Sequence, residues 1–115
     1  MSAAFHEGRI GRILETIESG TLFTIQDLAA RFKLSPSYLQ HLFKAQTGSR
    51  LGQRLMERRL QQAARLLVQG DLSVKEVAFT VGYKHASSFV RAFELYYQRA
   101  PGDFRQEMLT ERHFS

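Results

Sequence analysis

Cysteine and tryptophan are absent from this chain, and only two of its 115 residues are proline. Without cysteine there is no structural disulfide, no thiolate zinc site and no thiol nucleophile. No apolar run approaches the roughly 20 residues that a membrane-spanning helix needs, and the stretch from Met1 to Glu7 lacks a secretory apolar region. The cytoplasm is therefore the expected compartment, with no membrane partner. Strand signals are missing too, since neither a sustained two-residue alternation nor a hairpin dipeptide occurs. Catalytic chemistry is equally scarce. His6, His41, His85 and His113 share no i, i+4 spacing and stand beside no carboxylate cluster, and no Ser-His-Asp set or phosphate-binding glycine loop is visible. The chain reads as a non-enzyme with neither metal nor cofactor. What it has in excess is positive charge. Sixteen Lys and Arg against eleven Asp and Glu leave a net charge of +5, which favours a polyanion, nucleic acid ahead of an anionic membrane surface.

The most informative feature is an internal repeat. Thr24-Ile25-Gln26-Asp27-Leu28-Ala29 matches Ser73-Val74-Lys75-Glu76-Val77-Ala78 at an offset of 49 positions, whereas Leu39, Leu42 and Phe43 match Phe89, Ala92 and Phe93 at an offset of 50. The second copy has therefore gained one residue between its halves. Each copy reads as helix, short turn, helix, and two such units in one small basic chain predict a DNA target with two neighbouring half-sites.

Periodicity predicts helices throughout. Ile10, Ile13, Leu14 and Ile17 make one apolar stripe on a first helix that Gly20 ends. Thr24 with Asp27 resembles a capping box opening a second helix over 25–32, with Leu28, Ala29 and Phe32 inward. Ser35 as N-cap and Pro36 at the first helical position start a third over 36–46, closed by Gly48. The fourth, over 50–69, is the longest, and its apolar arc of Leu51, Leu55, Met56, Leu60, Ala63, Ala64, Leu66 and Leu67, over more than half the circumference, suits a linker packed on two sides. Its remaining sector carries Arg54, Arg58 and Arg65 with Gln61. Ser73 and Glu76 form a second capping box for a fifth helix ending near Val81, and Gly82 stands where the turn needs a positive φ. A sixth follows over 86–97 with Phe89, Ala92, Phe93 and Tyr96 inward. Pro101 begins a short last helix that returns Phe104 and Met108 to the core.

Burial of Leu39, Leu42 and Phe43 turns Ser37, Gln40, His41 and Lys44 outward on the third helix. The same geometry on the sixth exposes Ser87, Val90, Arg91 and Glu94, with Lys84, His85 and Ser88 near its start. Gln can pair with the adenine edge, Arg with the guanine edge, and Ser or His with either base or phosphate. A plain solvated face would also be polar. Two such faces, each on the second helix of a turn-linked pair, carry the DNA reading. Tyr83, Tyr96 and Tyr97 are expected to pack at core edges, because a base-stacking platform would need a strand surface.

These runs identify a resemblance. Ser73 through Tyr83, then Ser88-Phe89-Val90-Arg91-Ala92-Phe93, then Pro101 and Phe104-Arg105, resemble the DNA-binding domain of the AraC/XylS family of bacterial transcription regulators. The first unit adds Leu28-Ala29, Ser35, Leu39, Leu42-Phe43-Lys44 and Thr47-Gly48, and the linker adds Arg59 through Leu67. The resemblance covers about Ile10 to Arg105. It implies an all-α fold of seven helices in which two helix-turn-helix subdomains, 9–48 and 73–112, are joined by the linker helix 50–69. The third and sixth helices would enter successive major-groove segments of double-stranded DNA about 34 Å apart, so that a monomer spans both.

Position by position, the resemblance places base contacts at Ser37, Gln40, His41, Ala86, Ser87, Ser88 and Arg91, with Arg91 the foremost. Phosphate contacts are expected from Ser35, Lys44, Arg54, Arg58, Lys84 and His85. The chain departs from the family in three places. Glu94-Leu95 stand where Lys-Lys is frequent, which reduces phosphate attraction there. Gln98 and Ala100 replace a Gly and a Ser before Pro101, removing a favoured helix stop and an N-cap, so the sixth helix is expected to end differently. Ala86 cannot hydrogen-bond a base through its side chain, which predicts a more tolerant second half-site. Size and the Met1 start resemble the short, stand-alone members, which act as activators through RNA polymerase in the bacterial nucleoid. The alternatives are an excised C-terminal domain of a longer ligand-responsive regulator and a helical protein-interaction module.

Overall fold

The computed structural model describes residues 8–114. Seven α-helices follow one another, with no strand among the described residues: α1 (Gly8–Ile17), α2 (Ile25–Arg31), α3 (Pro36–Thr47), α4 (Leu51–Gln69), α5 (Val74–Thr80), α6 (Ala86–Tyr97) and α7 (Pro101–Phe114). They pack as two compact units whose boundary falls inside α4, between Arg58 and Arg59. This division explains the wide apolar arc of α4. Leu51 and Leu55 belong to the core of the first unit, while Leu60, Ala63 and Leu67 are buried in the second.

In the first unit α1 buries Ile10, Ile13 and Ile17 against Leu28 and Ala29 of α2 and Leu39, Leu42 and Phe43 of α3. Each fully buried Ile, Leu or Phe side chain contributes about 1.5–3 kcal/mol by leaving water. Helix α2 starts at a complete capping box, in which Thr24 Oγ1 accepts from the Asp27 N–H at 3.0 Å and the Asp27 carboxylate accepts from the Thr24 N–H at 3.1 Å. Helix α3 starts at Ser35, whose Oγ accepts from the Tyr38 N–H at 3.1 Å, followed by Pro36. Gly48, left-handed at φ 80°, closes it.

The second unit repeats this build. Ser73 and Glu76 form the capping box of α5 at 3.0 and 2.8 Å. Its core adds Val77, Ala78, Val81, Phe89 and Phe93, and it is richer in aromatic rings than the first. Tyr83 meets Phe89 edge-on with centroids 5.6 Å apart, and Phe93 meets Phe104 at 5.3 Å and Tyr97 at 4.6 Å. Tyr83 and Tyr97 thus pack at the core edge as expected, whereas Tyr96, expected inward, is exposed and meets the ring of Tyr97 and the Gln61 amide. Arg105, half-buried on α7, donates from Nε to the Leu67 carbonyl at 2.9 Å and from a terminal nitrogen to the Leu72 carbonyl. It satisfies carbonyls that the end of α4 and the following turn leave open.

The turns show where the repeat gains its residue. Lys33 N–H donates to the Ala30 carbonyl and Leu34 N–H to that of Ala29; Gly82 and Tyr83 do the same to Phe79 and Ala78, all still at an offset of 49. The N-caps Ser35 and His85 are already offset by 50. Lys84 is the added residue, and it lies in the turn.

Three further expectations change. The last helix is not short, since α7 runs for 14 residues. The sixth helix keeps its stop at Tyr97 despite losing glycine, because Gln98 itself takes the left-handed conformation (φ 61°) and donates its N–H to the Glu94 carbonyl at 2.8 Å. On the same helix Ala92 and Val90 are both half-buried, not cleanly inward and outward. That blurring follows from about 100° per residue, which puts both on the flanks of a face centred on Phe89 and Phe93.

Candidate nucleic-acid interface

The predicted contacts on α3 share one face. Ser37, Gln40, His41 and Lys44 are all exposed opposite the buried Leu39, Leu42 and Phe43, and Ser35 stands at the start of the helix. Two of these side chains lie along the helix surface: Gln40 Nε2 donates to the Pro36 carbonyl at 3.2 Å and Lys44 Nζ to the Gly48 carbonyl at 3.0 Å. Both bonds are exposed and so cheap to exchange for a base edge or a phosphate. The Ser35 hydroxyl accepts the capping bond and keeps its own proton to donate.

Beside this face opens a groove of about 600 Å³ lined by Gln40, His41 and Lys44 from α3 and by Arg50, Gly52 and Gln53 at the start of α4. Arg50 and Gln53 were not reached from the sequence. The left-handed Gly48 turns the chain back beside Lys44, and a helical wheel drawn one helix at a time does not show that juxtaposition.

Arg54 and Arg58 are differently placed. Both belong to α4, and both reach Glu18 in the turn after α1: Arg54 Nη2 lies 2.9 Å and Arg58 Nη1 3.7 Å from its carboxylate. The Arg58 side chain is 15% exposed against 39% for Arg54, so Arg54 has the freer approach to solvent. Gln61, part of the same polar stripe, donates to the Tyr96 hydroxyl at 3.0 Å.

In the second unit Lys84 and His85 are exposed at the start of α6, and Ser87, Ser88 and Arg91 are exposed along it, while Ala86 is half-buried. His85 is the N-cap by backbone geometry but makes no side-chain capping bond, which leaves its ring available. The Arg91 guanidinium has no hydrogen-bond or ion-pair partner among the described residues. At the offset of 50, Ser37, His41 and Lys44 correspond to Ser87, Arg91 and Glu94, two exposed stripes spaced i, i+4, i+7. The charge at the far end reverses from lysine to glutamate. Tyr38, partner of Ser88 in this register, was also missed, since neither the wheel nor the resemblance singles it out.

No three His, Asp or Glu side chains gather as metal ligands among the described residues, and no helix among them is long and apolar enough to cross a membrane. Two capped helix pairs, each joined by a tight left-handed turn and each exposing a polar face on its second helix, define a tandem helix-turn-helix protein. The helix-turn-helix domain family matches residues 28–107, and the chain belongs to this family, of the AraC/XylS type.

The chain is 36% identical over 92 residues to the uncharacterized HTH-type transcriptional regulator YijO of Escherichia coli, covering 77% of this chain and 32% of that protein. It is 32% identical over 82 residues to the probable transcription factor PqrA of Proteus vulgaris, covering 71% of this chain and 67% of that protein. The chain thus spans about a third of the length of relatives such as YijO and the Msm operon regulatory protein of Streptococcus mutans. Among solved structures, the DNA-binding domain of AdpA, in complex with a target DNA, is 28% identical and superposes with a TM-score of 0.75 over 92% of this chain and 97% of that one. A DNA-binding transcriptional dual regulator from E. coli gives 0.74 at 27% identity, over 95% and 99%. These relatives are regulators of transcription, not enzymes.

Proposed function

We propose that the chain is a sequence-specific DNA-binding transcription regulator that reads two adjacent major-groove segments, one with α3 and one with α6. The observation that carries this reading is the pair of exposed polar stripes at matching positions of a duplicated helix-turn-helix unit. Ser37, Gln40 and His41 read bases in one half-site; Ala86, Ser87, Ser88 and Arg91 read the other, with Arg91 pairing to a guanine edge and Ala86 touching at most a thymine methyl. Ser35, Lys44, Arg54, Arg58, Lys84 and His85 hold phosphates and set the register. Because one chain carries both reading helices, a monomer suffices on DNA. Regulation is proposed to be activation through contact with RNA polymerase, in the bacterial cytoplasm at the nucleoid.

The length of the relatives favours a second reading of context, in which the same DNA contacts serve a longer, ligand-responsive regulator. Transcription driven at a selected site by this chain alone, with no effector, would exclude it.

The test of the reading itself is selection from random duplexes, repeated with Gln40→Ala and Arg91→Ala. The expected result is a bipartite site with half-sites about one helical turn apart. Each substitution should cost roughly 1–3 kcal/mol and relax a different half. An unenriched pool, or substitutions without effect, would leave a generic basic protein or a protein-interaction module.

A further inference from the structure

We propose that Arg9 and Tyr38 form a phosphate clamp on one flank of α3. Tyr38 is the third residue of that helix and is 45% exposed, and the guanidinium carbon of Arg9, in the first turn of α1, lies 5.8 Å from its ring centroid. At about 100° per residue, Tyr38 lies a quarter-turn from Ser37, between the outward stripe and the buried side. A helix of about 10–12 Å diameter nearly fills a major groove about 12 Å wide, so its outer face meets base edges and its flanks meet the phosphate walls. This inference rests on the reading that α3 enters the groove. In that pose the flank carries two donors suited to phosphate, the phenolic hydroxyl of Tyr38 and the planar fork of Arg9. Stacking on the ring pre-orients the fork, so less side-chain freedom is lost when it binds.

The opposite flank, towards Gln40, faces the groove with Arg50 and Gln53. The clamp therefore supplies charge on the side where α3 has none of its own. It belongs to the first unit alone, because the position equivalent to Tyr38 is Ser88. Sequence-independent grip is thereby concentrated at the first half-site.

The deciding measurement is the dependence of binding on salt, on the selected duplex and on a scrambled one, for the wild type, Arg9→Gln and Tyr38→Phe. With Arg9→Gln, affinity should fall about five- to tenfold on both duplexes and the slope of log K against log salt should become shallower by about 0.9, one phosphate contact. Tyr38→Phe keeps the ring and the stack but loses the hydroxyl; it should weaken both complexes severalfold with the slope unchanged. An unaltered slope for Arg9→Gln, a loss confined to one base sequence, or a loss that merely tracks a lower melting temperature of the free protein would each overturn the clamp. If Gln40→Ala still relaxes its half-site while these variants bind like the wild type, the clamp alone fails. If the wild type selects no sequence, the reading of α3 fails, and the slope on the scrambled duplex still decides the clamp.

Discussion

Lys33 holds a backbone conformation that its repeat partner gives to glycine. Its φ is 58°, against 99° for Gly82, and a side chain in the left-handed region costs about 1–2 kcal/mol. Part of that cost returns through the greater freedom of glycine in the unfolded chain. Lys33→Gly is therefore expected to stabilise the protein by about 0.5–1 kcal/mol, and Gly82→Ala to destabilise it by a similar or larger amount, both measured by denaturant melts. Arg105 represents the opposite case, a charged side chain serving backbone carbonyls. Arg105→Ala leaves the Leu67 and Leu72 carbonyls without that donor and should cost roughly 2–3 kcal/mol. Arg105→Lys, which lacks the fork, should recover only part of the loss.

At the scale of the element, the capping boxes decide where helices begin, and one of them makes stability depend on pH. The Ser73 backbone and hydroxyl hold the Glu76 carboxyl below its ordinary value of 4.5. A carboxyl with a lowered folded pKa stabilises the fold above 4.5, and the contribution fades as pH falls through the folded value. Thermal melts of Ser73→Ala should accordingly show a loss of about 1 kcal/mol near neutrality that narrows in acid. Such caps were fully legible in the sequence, because a Ser or Thr three places before an acid is a local signal. So were the buried faces of α1 and α3, where three or four apolar residues recur at helical spacing. Other features were hidden for physical reasons. Gln98 stops α6 in a conformation whose usual signal is glycine. The pairing of Arg54 and Arg58 with Glu18 joins residues 36 and 40 positions apart, beyond the reach of any periodicity. Tyr38 beside Arg9 and Arg50 beside Lys44 likewise arise only when one helix is laid on another.

For the whole molecule, net charge governs affinity and local pairing governs how much of that charge is available. Arg54 and Arg58 share the exposed Glu18 carboxylate, and the more exposed pair, with Arg54, contributes at most about 1 kcal/mol. Glu18→Gln should thus change stability little while tightening DNA binding severalfold and steepening its salt dependence, if the two arginines meet phosphate. An unchanged slope would remove both from the contact set. At the alkaline end, burial pushes the Tyr83 and Tyr97 hydroxyls above their ordinary 10.0, with Arg59 partly opposing the shift at Tyr83. The folded state then holds their protons longer than the unfolded one, so their contribution is complete below 10.0 and declines as pH rises past it.

The extra residue of the second copy bears on how a duplicated gene segment can drift. One residue added inside α5 or α6 would rotate everything beyond it by about 100°, burying the reading stripe and exposing Phe89 and Phe93. Lys84 sits instead between the helices, where the chain lengthens without turning either face. The turns are the places where length can vary without loss of register, and a chimera exchanging residues 33–35 for 82–85 should keep both stripes facing outward.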